Sequence, residues 1–159
     1  MPTQEHIEAR MRELADILQY EYRDLQYLCL AMNRTKLSES ATGEADYENS
    51  ALATLGDSIL KFVLTEVLYK QGYRKGEITK IKERIECNKN LARMRDDVYK
   101  IRKYHYNACG FYGKTPLEAQ VAIGEHDAAI EAVIGAMYLD RGLEYTRQWI
   151  FLHFGNQLP

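Results

Sequence analysis

The sequence predicts an all-α fold. Apolar residues recur at i, i+3 and i+4 spacing in several segments, whereas the alternation typical of a half-buried strand and the turn signals of a β-hairpin do not occur. The three prolines, Pro2, Pro116 and Pro159, lie near the ends or in loops. No apolar run approaches the ~20 residues that span a bilayer. We expect one helical domain over residues 1–159.

Two amphipathic helices open the chain. Thr3 can cap a helix that runs to about Leu18 and carries an apolar stripe. Asp24 can cap a second helix, whose apolar residues are Leu25, Leu28, Cys29 and Met32. The polar residues 33–49, with their serines and a glycine, predict a loop.

The next helix is the best defined element. It is apolar around most of its circumference, which is typical of a helix in the middle of a bundle. These apolar residues are Leu52, Leu55, Ile59, Phe62, Val63, Leu64, Val67 and Leu68. Asp57 is the only acidic residue between Glu48 and Glu66. Gly72 predicts a glycine C-cap at the end of this helix.

Three further helices follow. One is predicted from Thr79 to about Arg95, and a tyrosine-rich connection over 98–113 should pack against the core. A fifth helix covers about 126–139, and the closing helix covers 143–154. The fifth helix has a face of small residues that lets a neighbouring backbone approach closely: Ala128, Ala129, Ala132, Gly135 and Ala136.

Charge is unevenly distributed along the chain. The net charge is −2, but residues 70–103 contain twelve basic and five acidic residues. Such a segment can bind a phosphate backbone. It can equally be a solvated helix with pairs such as Lys80 with Glu83 and Lys82 with Glu86. The candidate phosphate-contacting residues are Lys75, Lys80, Lys82, Arg84 and Lys89.

The cysteines and the N-terminus indicate a cytoplasmic protein. Cys29, Cys87 and Cys109 are odd in number and far apart, and none forms a CxxC pair. Reduced thiols are therefore favoured over zinc ligands or disulfides. The N-terminus is acidic and amphipathic and has no secretory signal, so we expect no export and no association with a membrane.

Two acidic residues stand out on apolar helical patterns. Asp57 follows Gly56 in the central helix, and Glu131 lies in the fifth helix four residues before Gly135. Carboxylates are rarely buried unless they are paired or bound to a cation. Two of them on facing helices would form an oxygen site suited to Mg2+. A capping or salt-bridged acid is the simpler interpretation of each residue taken alone.

Four segments in the same order resemble the catalytic domain of the ribonuclease III family. They are Leu18 to Thr35, the sequence Leu55-Gly56-Asp57-Ser58, Lys75 to Ala92, and Glu131 to Gly142. Residues 51–57 are also similar to the signature of mini-ribonuclease III, a branch that consists of the catalytic domain alone. The resemblance implies an all-α nuclease domain, and we expect no double-stranded-RNA-binding domain in this chain.

The chain departs from the family pattern at four acidic positions. Family carboxylates are replaced by Ser50, Ala53, Lys75 and Ala128. Lys75 is either a cation in place of a carboxylate linked to the metal or an exposed turn lysine. Asp127 is one residue from a missing family aspartate and i,i+4 from Glu131, so both can share one helix face. It is a candidate metal ligand, or alternatively a residue that caps the helix or faces water.

The resemblance implies a Mg2+- or Mn2+-dependent endoribonuclease. Asp57 and Glu131 would be the catalytic acids, and Asp127 would join them as a metal ligand. Family dimers place two such sites on one face of double-stranded RNA, so a homodimer is expected, with the basic segment contacting the RNA backbone. The alternative is a degenerate member that binds RNA or a protein partner without cutting, because fewer acids bind a metal more weakly.

Overall fold

The computed structural model describes residues 2–37, 45–112 and 128–159. Helices dominate this part of the chain, so the predicted all-α class is confirmed. The α-helices are α1 (Gln4–Leu18), α2 (Gln26–Ala31), α3 (Ser50–Lys70), α4 (Lys75–Glu86), α5 (Asn88–Arg93), α6 (Ala129–Arg141) and α7 (Leu143–Phe154). Among the described helices, none is both long enough and apolar enough to cross a membrane.

A small β-hairpin interrupts the helical pattern. Strand β1 (Tyr106–Asn107) pairs antiparallel with β2 (Gly110–Phe111). The expectation that the chain contains no hairpin is therefore wrong. Two-residue strands are too short to show a sequence alternation, and tertiary contacts hold them here. The backbone N–H of Tyr106 donates to Met32 O at 3.1 Å, and its carbonyl accepts from Arg34 N at 2.8 Å.

The first helices form as the sequence predicts. The Thr3 hydroxyl accepts a hydrogen bond from His6 N at 3.2 Å and caps α1. Leu25 rather than the predicted Asp24 is the N-cap of α2, although Asp24 Oδ1 accepts a hydrogen bond from Gln26 N at 3.0 Å just before the helix. Asp140, near the C-terminal end of α6, holds the connection between α1 and α2 in place through hydrogen bonds. Its carboxylate accepts from the Tyr20 hydroxyl and, at 2.8 Å each, from the backbone N–H groups of Arg23 and Asp24.

Helices α3 and α6 form the centre of the core and share its most extensive helix–helix contact. Their backbones cross closely because glycines lie at the crossing. A Cβ on Gly56 would lie 1.6 Å from Glu131 O, and one on Gly135 would lie 2.4 Å from Leu52 O. Helix α3 ends at Lys70, and Gly72 adopts φ 90° just beyond it. The predicted central helix and its glycine C-cap are both confirmed.

The predicted helix from Thr79 to Arg95 is wrong in its bounds. Helix α4 begins four residues earlier, where the Glu77 carboxylate accepts from Arg74 N at 3.2 Å. The helix is then broken at Cys87, whose backbone is extended. Asn90 stabilises the break because its side-chain amide donates to Ile85 O at 2.6 Å. This amide satisfies a carbonyl that the interrupted helix leaves unpaired.

The tyrosine-rich connection packs into the core as predicted. Tyr99, Tyr104, Tyr106 and Tyr112 are all buried. A π-helical turn (Met94–Val98) and a 3-10 turn (Arg102–Tyr104) carry the chain between α5 and β1. Helix α7 closes the core with Trp149, whose indole N–H donates to Leu18 O at 2.9 Å.

Candidate active site

A polar cavity of about 760 Å³ lies beside the crossing of α3 and α6. Three of the carboxylates that line it come from three different helices: Asp57 from α3, Glu86 from α4 and Glu131 from α6. Lys61 and Asn88 also line the cavity, and Asp46, from the segment before α3, adds a fourth carboxylate. Acids that are distant in the sequence are therefore brought to one cavity.

The glycine crossing positions the two acids that the sequence singled out. Gly56 precedes Asp57 and packs on the carbonyl of Glu131, so both residues start from the same point of contact between the helices. Both side chains line the cavity. The prediction that Asp57 and Glu131 lie on facing helices is confirmed.

The side chain of Asp57 is not in apolar surroundings. It is 40% exposed and faces the open cavity, where its Oδ2 lies 3.0 Å from Lys61 Nζ. The expectation of an apolar environment for this residue is wrong, because the periodicity of α3 does not reveal an opening above it. The hydrogen bond from Lys61 and the charge of Asp57 raise the pKa of Lys61, and the charges of Glu86 and Glu131 raise it further.

Glu131 is far more buried than Asp57. Its exposed fraction is 5%, and it lies in the first turn of α6, just after Ala128 in the left-handed conformation. A carboxylate in the first turn of a helix is favoured by the positive end of the helix dipole. A buried acid beside a polar cavity is the environment expected of a cation ligand or of a paired acid.

Glu86 is the functional candidate that the sequence did not reveal. It is the last residue of α4, and sequence spacing suggests only an ion pair with Lys82. Burial raises its pKa and Asp57 raises it further, while Lys82 and Lys61 act in the opposite direction. Its Oε2 is buried and makes no hydrogen bond within the described residues. Only the break at Cys87 and the packing of α4 near α3 bring this acid to the cavity.

Three of the four positions that lack family acids lie on the same cavity, and Lys75 does not line it. Ser50, Ala53 and Ala128 all line it. These three departures from the family pattern therefore lie together on the cavity that Asp57 and Glu131 also line. Asp127, the third predicted metal ligand, lies outside the described residues.

The donor set has the chemistry of a Mg2+ or Mn2+ site, but its acids do not converge on one point. Carboxylate oxygens are hard ligands of the kind these cations prefer. Glu86 Oε2 is buried and makes no hydrogen bond within the described residues, and Lys61, whose ammonium pairs with Asp57, lines the same cavity. In the described part of the chain, no three acidic, histidine or cysteine side chains lie close enough together to form a metal-binding group. The residues fit a divalent cation in type and in charge.

The basic candidates lie along α4 and α5. Lys75, Lys80, Arg84 and Lys89 are exposed, and Lys82 is half-buried near Glu86. Lys75 is the first residue of α4 rather than part of a turn. Arg84 donates to Gln157 O at 3.1 Å, so part of its guanidinium is already used within the fold. Because Glu86 and Asn88 line the cavity, the basic segment borders it.

Comparison with known proteins identifies close sequence relatives. A model of the ribonuclease III domain matches residues 50–142. Ribonuclease 3 of Clostridium beijerinckii is 35% identical over 131 residues, which cover 76% of this chain and 53% of that protein. Ribonuclease 3 of Symbiobacterium thermophilum is 34% identical over 149 residues, covering 89% of this chain and 58% of the relative. The chain spans little more than half the length of these relatives.

Solved structures agree with this fold. The nuclease domain of ribonuclease III from Campylobacter jejuni superposes with a TM-score of 0.73 at 21% identity, covering 94% of this chain and 99% of that one. A second structure of that domain gives a TM-score of 0.68 at 22% identity. The motifs around Asp57 and Glu131 lie within the matched segment 50–142. The chain belongs to the ribonuclease III family.

Proposed function

We propose that this protein is a divalent-metal-dependent endoribonuclease that hydrolyses phosphodiester bonds in double-stranded or structured RNA. The observation that carries the proposal is the meeting of Asp57 and Glu131 at one polar cavity, in a domain of the ribonuclease III family. The curated relatives bear the name ribonuclease 3, which supports this activity.

The acids of the cavity hold the metal in this proposal. Asp57 and Glu131 are ligands, and Asp127 is the third ligand expected from the sequence. A bound Mg2+ or Mn2+ lowers the pKa of a water molecule and neutralises the negative charge that develops on the phosphate. The buried Glu131 fixes the position of one ligand, because its side chain is enclosed by the core. The exposed Asp57 leaves the cavity open to a phosphate backbone.

The basic segment is proposed to contact the RNA. Positive charge lies along α4 and α5, whose Glu86 and Asn88 line the cavity, and it comes from Lys75, Lys80, Lys82, Arg84 and Lys89. Double-stranded RNA is recognised mainly by its shape, its phosphates and its 2′-hydroxyl groups, so such contacts need no sequence readout. If these residues bind phosphates, affinity for duplex RNA should fall steeply with salt, and Lys89→Ala should reduce the slope.

A homodimer is part of the proposal. Helix α3 exposes an uncharged stripe beside the cavity, in which Phe62 is 49% exposed. The other members of this stripe are Ala51, Thr54, Ser58 and Tyr69. Its two large aromatic residues, Phe62 and Tyr69, are both exposed, and grouped exposed apolar side chains are typical of an interaction site. One Campylobacter jejuni nuclease domain is described as flexible in a region involved in dimer formation.

The dimer is tested by molar mass in sedimentation or light scattering. Phe62→Glu should halve the mass, whereas Leu152→Glu on the exposed side of α7 should leave it unchanged. Dissociation by Leu152→Glu and not by Phe62→Glu would place the interface on α7. A wild-type protein of monomer mass at all concentrations would remove the dimer from the proposal.

The activity is tested with a labelled RNA duplex in Mg2+ or Mn2+. Cutting should be lost in Asp57→Asn and Glu131→Gln, which remove a negative charge with little change in shape. Glu83→Gln, an exposed residue of α4 that does not line the cavity, is the matched control. Cutting that persists in both cavity variants would remove these acids from the mechanism.

A second function is favoured by one specific observation. Asp57 is paired with Lys61, and the cavity presents Ser50, Ala53 and Ala128 where the family pattern has acids. A member with fewer ligands would bind RNA or a protein partner without cutting. Duplex RNA that is bound by the wild-type protein and never cut, in either metal, would select this alternative.

Two expectations from the sequence stay predictions. One is the cytoplasmic location, which rests on the odd number and wide spacing of the three cysteines. The other is the single ribonuclease III-like domain over residues 1–159.

A further inference from the structure

Lys61 lies among the carboxylates of the cavity. Its Nζ is 3.0 Å from Asp57 Oδ2, and it also experiences the charges of Glu86 and Glu131. We propose that Lys61 is an internal counterion of the acidic cavity, and that a divalent cation binds to Asp57, Glu86 and Glu131 by displacing its ammonium group. This inference rests on the proposed function, because it concerns the metal of the same site.

The ammonium group is placed so that it can be exchanged. Lys61 is 48% exposed, and its partner Asp57 is 40% exposed. Ion pairs between exposed side chains contribute little to stability, and the lysine stem is flexible. The ammonium group can therefore turn into solvent when a cation with two charges competes for the carboxylates.

Glu86 supplies the carboxylate that the family pattern does not. The family acids missing at Ser50, Ala53 and Ala128 leave two matching ligands, and Glu86 faces the same cavity from a third helix. Its Oε2 is buried and makes no hydrogen bond within the described part of the chain. A buried carboxylate oxygen gains free energy from a cation more than an exposed one does. Glu86 is therefore a ligand rather than a surface partner of Lys82.

The test is Mn2+ binding, measured by calorimetry and by the electron paramagnetic resonance of free Mn2+ in the absence of RNA. Lys61→Met should tighten binding by about tenfold, since it removes a like charge a few ångströms from a divalent ion. Lys61→Arg should bind as the wild type does. Lys70→Met is the matched control, because Lys70 is an exposed lysine of the same helix paired with Glu66 at i,i+4, and it should leave binding unchanged.

Glu86→Gln should act in the opposite direction and weaken Mn2+ binding by about tenfold. Glu83→Gln, from the same helix but outside the cavity, should have no effect. The double variant of Lys61→Met and Glu86→Gln separates two roles. If Glu86 is a ligand, Glu86→Gln should still weaken Mn2+ binding when Lys61 is replaced by Met. If Glu86 only neutralises Lys61, Glu86→Gln should have no effect on binding by Lys61→Met. The second result would overturn the assignment of Glu86 as a ligand.

The outcomes distinguish this inference from the proposed function. If the wild type binds Mn2+, Asp57→Asn abolishes binding and Lys61→Met leaves it unchanged, the inference is wrong and the proposed metal site stands. If neither the wild type nor Lys61→Met binds Mn2+, the metal dependence fails and the inference fails with it. Binding by Lys61→Met alone would be the strongest support for a resident counterion. Circular dichroism of each variant establishes that it is folded.

Discussion

The crossing of α3 and α6 predicts a severe effect of one added methyl group. In Gly56→Ala the new Cβ would lie 1.6 Å from Glu131 O and 2.8 Å from Gly135 N. Normal carbon contacts are about 3.5–4.0 Å, so the two backbones would have to separate by roughly 2 Å. The obstructing atoms are backbone atoms of a buried helix, which cannot turn aside as a flexible side chain can.

The expected loss follows from this geometry. Overpacking a core costs about 1–3 kcal/mol when side chains can adjust, and more when they cannot. We expect Gly56→Ala to lower the free energy of unfolding by about 3–5 kcal/mol, a large part of the ~5–15 kcal/mol typical of a domain. The separation would also move Asp57 away from Glu131, so activity should fall even in the folded fraction.

The assay is equilibrium unfolding in urea, followed by circular dichroism. Gly76→Ala is the matched control, because Gly76 lies in α4 and a Cβ there would meet nothing within 4 Å. That variant should be unchanged or more stable by about 0.5–1 kcal/mol, since alanine favours helix more than glycine does. A loss of less than about 1 kcal/mol in Gly56→Ala would refute the close crossing that positions the site.

Three further predictions concern the frame around the site. Asp140→Ala removes the acceptor of the Tyr20 hydroxyl and of two backbone N–H groups, so urea unfolding should show a loss of about 2–4 kcal/mol. Trp149→Phe leaves Leu18 O without its indole donor and should lower stability by about 1–2 kcal/mol in the same assay, and an unchanged midpoint would contradict this. Burial lowers the pKa of His153, so the unfolded chain binds the proton more readily than the folded one. Stability should therefore be complete above the unfolded pKa of about 6.5 and fall as the pH drops below it, and His153→Gln should flatten this dependence of the thermal midpoint on pH.

The sequence by itself determined the helical class and most of the elements. Apolar periodicity depends only on the spacing of residues along one helix, so it predicted α1 and α3. The burial of the tyrosines was expected from their usual role in packing. Glycine and capping residues act locally, which is why Thr3 and Gly72 are found at the ends where they were expected. The small residues of α6 predicted a close approach, and Gly56 and Gly135 provide it.

Only the tertiary structure decided how the charges of the site are arranged. No local pattern distinguishes Glu86 from an ordinary surface acid, because its place on the cavity depends on a break at Cys87 and on the packing of α4. Nor does the periodicity of α3 show that Asp57 faces an open cavity and pairs with Lys61 rather than lying among apolar side chains. Electrostatic surroundings are set by residues far apart in the chain, and these meet only when the helices pack.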